Sequence, residues 1–154
     1  MIAYLSGGME NAQNEGADWR SDMTNWLKEN LGHDTIDPVI ETKKTVLAHG
    51  AEEYQDWKTT DHGKYKEFIR LLINQDLRAV IGKVDYLIVL WDESILYGGG
   101  THGEVTMAYW VDRPIFLVNK LPKDKLSRWI SSFSTETFDS FDELKKALLK
   151  EFQS

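Results

Sequence analysis

The chain has 154 residues, 42% hydrophobic and 28% charged, a length and balance that predict one domain over 1–154 with a core of its own. It contains no cysteine, which excludes a disulfide scaffold, an iron–sulfur site and a thiol nucleophile. Its 25 acidic residues against 18 basic ones leave a net charge of −7, a surface that repels long nucleic acids and anionic lipid.

The opening segment Ile2–Ser6 is short and apolar and runs into Gly7-Gly8, the pattern of a buried strand ending in a loop where the backbone takes positive φ. With no basic region ahead of this strand, no signal peptide is expected. From Ala17 the period changes: Trp19, Met23, Trp26, Leu27 and Leu31 share one helical face, and Gly32 is placed to end the helix. A second strand is predicted over 34–39, with Pro38 at its end. Residues 41–63 are polar and show no sustained period, so they read as an irregular segment, either a lid over a site or a surface excursion.

A long helix is predicted next, with Tyr65, Phe68, Ile69, Leu72, Asp76, Val80 and Ile81 in steps of three and four. Residues 84–91 then form an unbroken apolar run, as a parallel strand covered on both faces requires. The run Tyr86–Trp91 is far shorter than the roughly 20 residues of a bilayer span, so the expectation is a cytoplasmic protein with no membrane partner. A loop with Gly98-Gly99-Gly100 leads into a helix over 101–112, a buried strand over 114–119, a helix over 123–132 and a weaker strand over 134–138. The last helix opens on the capping-box pattern Ser140-Phe141-Asp142-Glu143, with Leu144, Leu148 and Phe152 on one face. This alternation predicts an α/β domain with a parallel sheet, whose two glycine-rich loops open side by side at one end.

Three side chains stand out against this frame. Glu104 lies three residues after Thr101, so it either completes a capping box or stands at a glycine-lined helix start as an ionised nucleophile. Gly100 and Gly103 remove bulk there and leave the backbone open to a ligand. Asp76 interrupts an apolar stripe, so it either pairs with Arg78 or Lys83 or faces a cleft as a proton donor or acceptor. Tyr4, inside the first strand, is either a core aromatic or a phenol aimed at the same place.

Tyr4-Leu5-Ser6-Gly7-Gly8, Asn74-Gln75-Asp76-Leu77, Val84-Asp85-Tyr86-Leu87-Ile88-Val89 and Gly100-Thr101-His102-Gly103-Glu104 occur in a telling order. They are followed by Met107-Ala108-Tyr109 and Arg113-Pro114-Ile115. Together, from Ile2 through about Asn119, the chain resembles the nucleoside 2-deoxyribosyltransferase family, which includes 2'-deoxynucleoside 5'-phosphate N-hydrolases and CMP hydrolases. The resemblance implies a flavodoxin-like, doubly wound sheet of about five parallel strands with helices on both faces. It implies no cofactor and no metal. The expected partners are a nucleoside or nucleotide and a free nucleobase, and the expected assembly is a homo-oligomer, a dimer or larger. It also implies retaining double displacement: Glu104 as nucleophile at the anomeric carbon, Asp76 as the acid protonating the departing base, and Tyr4 positioning the nucleophile.

The sugar-binding end departs from that pattern. Six residues before Glu104, where family transferases carry aspartate and nucleotide hydrolases serine, stands Gly98, with Asp92 or Ser94 as substitutes nearby. The first loop reads Met9-Glu10-Asn11 where the nucleotide hydrolases place arginine, and Glu10 repels phosphate. Ser6, Gly7 and Gly8 can offer backbone N–H groups, with Arg20 one turn into the helix. Gly98, Gly100, Thr101 and His102 complete the candidate binding set, and Trp57 is the aromatic placed to stack on a base. His49, Asp61 and His62 fit no standard metal spacing. An alternative reading is a nucleoside- or nucleotide-sensing module of the same fold without turnover, and a blander one is a scaffold in which Glu104 and Asp76 are structural.

Overall fold

The computed structural model describes residues 1–153. Five parallel strands, β1 (Ile2–Ser6), β2 (Asp34–Ile36), β3 (Tyr86–Trp91), β4 (Ile115–Asn119) and β5 (Glu136–Phe138), lie in the order β2-β1-β3-β4-β5. This is the flavodoxin-like order, and it reverses direction between β1 and β3. The central strands are buried along nearly their whole length, which is why their sequences are unbroken apolar runs.

Alternation along the strands sorts the core into two layers. Ala3, Leu5, Tyr86, Ile88, Phe116 and Val118 face α1 (Ala17–Leu31) and α7 (Phe141–Phe152). Tyr4, Leu87, Val89, Trp91, Ile115 and Leu117 face the opposite side, against α4 (His62–Gly82), α5 (Gly100–Trp110) and α6 (Arg128–Phe133). Tyr4 and Ser6, two residues apart, therefore both point toward α4 and α5.

The stretch expected to be irregular is largely helical. Asp37 caps α2 (Pro38–Ala48), its carboxylate accepting from Val39 N at 2.9 Å. Pro38 occupies the first turn of this helix instead of closing a strand, because its fixed φ and missing N–H suit that position. The short α3 (Trp57–Thr60) follows, and Asp61 caps α4 by accepting from Lys64 N at 3.1 Å. Ala51, Phe68 and Leu72 form a small third core here, separate from the two sheet layers. The helix expected over 123–132 is split: a 3-10 turn at Lys123–Lys125 precedes α6, which Ser127 caps.

Among the glycines positive φ is found at Gly16, Gly32 and Gly50, not at Gly7 or Gly8. Gly8 is needed for close approach instead, since a Cβ there would lie 2.8 Å from Ser94 Cβ. The first loop and the 3-10 turn Glu93–Ile95 after β3 are thus pressed together at the carboxyl end of the sheet. Among the described residues no helix is long and apolar enough to cross a membrane.

Candidate active site

A cleft of about 500 Å³ opens where the strand order reverses. One wall is polar and glycine-rich, formed by Gly7, Gly8, Glu10 and Asn11 of the first loop and by Gly98, Gly99, Gly100, Thr101 and Gly103 at the start of α5. The other is apolar, with Pro38 from α2, Tyr54 from the α2–α3 connection, and Ile69, Leu72, Ile73 and Leu77 from α4. Asp76 and Glu104 both line this cleft.

Glu104 enters it because the sheet-facing stripe of α5 (Thr101, Glu104, Val105 and Ala108) packs over β1 and β3. Its carboxylate does not cap the helix. Oε1 accepts from Ser6 Oγ at 3.0 Å, and Gly99, the residue before α5, receives no side-chain cap. The capping-box reading of Thr101 and Glu104 therefore fails, because α5 begins at Gly100 and Thr101 lies inside the helix instead of at its cap. Cβ atoms added at Gly98, Gly99, Gly100 and Gly103 would meet nothing within 4 Å, so their lack of side chains keeps the mouth of the cleft open.

Asp76 lies half-buried on α4 and forms no ion pair with Arg78 or Lys83 among the described residues. Burial pushes its carboxyl up to about 6, opposed by the Tyr4 hydroxyl and by Arg20. Glu104 is pushed up to about 7, first by burial; Tyr4 and Ser6 act against the rise, and the Asp76 charge adds to it. Burial thus outweighs the helix dipole and raises the proton affinity of Glu104, contrary to the expectation from its place in α5. The Tyr4 hydroxyl is buried behind both carboxylates without an aligned hydrogen-bond partner, and burial with the neighbouring Glu104 and Asp76 keeps it a neutral phenol.

Arg20 takes a different part from anion binding. Fully buried, it donates from Nε to Leu5 O (3.0 Å), from Nη2 to Gly7 O (2.8 Å) and from Nη1 to Gly16 O (3.0 Å) and Glu15 O (3.2 Å). Asp37 Oδ1 lies 3.9 Å from Nε and supplies the countercharge. The guanidinium is spent on holding the loop that borders the cleft.

Of the remaining candidates Ser94 lines the cleft, whereas Asp92, His102 and Trp57 fall outside the lining. Asp92 accepts from Ser94 N at 2.9 Å and caps the turn after β3. The His102 ring packs against Trp91 at 4.8 Å. Trp57 stands edge-on to Phe68 at 6.0 Å with Lys64 Nζ over its face at 4.0 Å. The aromatic in the cleft is Tyr54, which the sequence reading passed over, and a Tyr-centred apolar cluster with Phe68 at 5.1 Å is what places it there. His49 bonds its own helix at Thr45 O, Asp61 serves as a cap, and no metal-holding cluster of three ligands occurs among the described residues.

The chain shares its fold with a nucleotide N-glycosidase. A solved structure of the Clostridium botulinum CMP N-glycosidase BcmB matches it with a TM-score of 0.51 at 17% identity, covering 96% of this chain and 98% of that one. No protein-family model matches the chain. No curated protein sequence matches it either. At this identity the likeness speaks for the fold across the whole chain, and the chemistry has to be argued from the side chains in the cleft.

Proposed function

We propose that the protein cleaves the N-glycosidic bond of a nucleoside or nucleotide. One observation carries this reading: two carboxylates from different helices line a single cleft of about 500 Å³, backed by the hydroxyls of Ser6 and Tyr4. Ionised Glu104 attacks the anomeric carbon, forming a glycosyl ester as the carbon–nitrogen bond breaks. The bonding pair leaves with the base, which takes a proton from Asp76. Water or a second nucleobase then attacks the same carbon, gives its proton to Asp76, and releases Glu104 as carboxylate. The Ser6 hydroxyl fixes the orientation of the attacking carboxylate, and Tyr4 lowers the proton affinity of both acids. The fold shared with a CMP N-glycosidase supports the same reading.

Incubation with deoxyribo- and ribonucleosides and their 5'-monophosphates, with and without added base, tests it. Free base released without acceptor indicates hydrolysis, and exchange only with acceptor indicates transfer. A mass increase of one sugar on a peptide containing Glu104 would identify the intermediate. No base release under any condition would overturn the reading.

A further inference from the structure

The charges around the cleft bear on which end of a substrate it tolerates. Its charged lining residues among the described residues are Glu10, Asp76 and Glu104, with no lysine or arginine. The nearest guanidinium, Arg20, is committed to backbone carbonyls and Asp37. Lys58, beside the mouth, has its ammonium on Glu10 Oε1 at 2.9 Å. A hollow of 500 Å³ is about 10 Å across as a sphere, close to one Debye length at physiological salt, so a dianion inside it is only partly screened from Glu10 and from ionised Glu104. Against them stands the start of α5, which no side chain caps, equivalent to roughly half a positive charge.

We infer that the cleft takes an uncharged nucleoside and rejects its 5'-monophosphate, with Glu10 as the residue that enforces the choice. This rests on the N-glycosidic reading above and narrows it to one substrate class. Glu10 is exposed and joins only Lys58, so its removal leaves the core untouched and at the same time frees a lysine at the mouth.

The test measures kcat/KM for matched pairs of nucleoside and 5'-monophosphate in the wild type and in Glu10→Gln, with binding followed by calorimetry. The wild type is expected to favour the nucleoside by at least about tenfold, and Glu10→Gln to narrow that ratio by raising the monophosphate arm. Equal or better turnover of the monophosphate by the wild type, or an unchanged ratio in the variant, overturns the inference. If neither compound is turned over, the glycosidase reading falls and calorimetry decides alone. Binding of the nucleoside without the monophosphate then sustains the selectivity, and binding of neither, or of the monophosphate, overturns it.

Discussion

Ser6, on the first strand, donates its hydroxyl to Glu104 across 98 residues of chain, at 3.0 Å. That bond ties the end of β1 to the first turns of α5 and aims the carboxylate into the cleft. Removing the charge while keeping the shape is therefore the most direct test. Glu104→Gln is expected to abolish base release with the fold intact, as read by chromatography and circular dichroism. Base release at the wild-type rate would remove Glu104 from the mechanism.

The same variant carries a stability signature. Burial raises Glu104 above the ordinary carboxylate range, to about 7, so between that range and about pH 7 the folded chain binds more protons than the unfolded one. Wild-type stability from this group falls as pH rises through that window. Glu104→Gln lacks the loss, so its melting temperature relative to wild type should climb from pH 5 to pH 8, by a free energy on the order of 1–3 kcal/mol. A difference independent of pH would show that the carboxyl is not desolvated.

Activity in the proposed mechanism needs Glu104 charged and Asp76 neutral. With the pair raised to about 7 and about 6, the rate should peak between roughly pH 6 and 7, the two apparent values belonging to the coupled pair. Asp76→Asn should slow departure most for poor leaving bases and erase the alkaline limb. Equal slowing for every base argues against an acid at this position.

Tyr4 lowers the proton affinity of both carboxylates. Tyr4→Phe keeps the ring in its buried place and removes only the hydroxyl, so the whole pH–rate profile should move to higher pH. A reduced rate with an unmoved profile would assign Tyr4 to packing alone.

Gly16, at φ +72°, leaves no room for a side chain, because a Cβ there would lie 2.4 Å from Arg20 Nη1 and 2.7 Å from Gly8 O. Gly16→Ala is expected to cost about 1–3 kcal/mol in denaturant unfolding and to weaken substrate binding by displacing the first loop. Unchanged unfolding would mean that Arg20 does not organise that loop.

Much of the architecture was legible in the residues. The unbroken apolar runs of β3 and β4, and the three-and-four spacing of α1, α4 and α7, follow directly from burial on two faces or one. Asp76 and Glu104 both line the cleft, as the family resemblance implied; the residues alone left each a structural alternative, a helix cap for Glu104 and an ion pair for Asp76. What was missed has physical causes. The faces of α2 are mixed, so its presence lay in the Asp37-Pro38 start signal and not in periodicity. Arg20 reads as a cation beside an anion-binding loop until folding brings the carbonyls of Leu5 and Gly7 around it. Trp57 and Tyr54 are both aromatic and three residues apart, and only packing against Phe68 decides which of them turns toward the cleft.

The small apolar cluster of Ala51, Phe68 and Leu72 sits apart from the sheet layers, yet it backs the wall on which a ligand would rest. Substitutions there can reshape what the protein accepts without disturbing β1 or α5, where Ser6 and Glu104 are anchored. In the proposed reaction the shape of this wall can therefore vary independently of the carboxylates that do the chemistry.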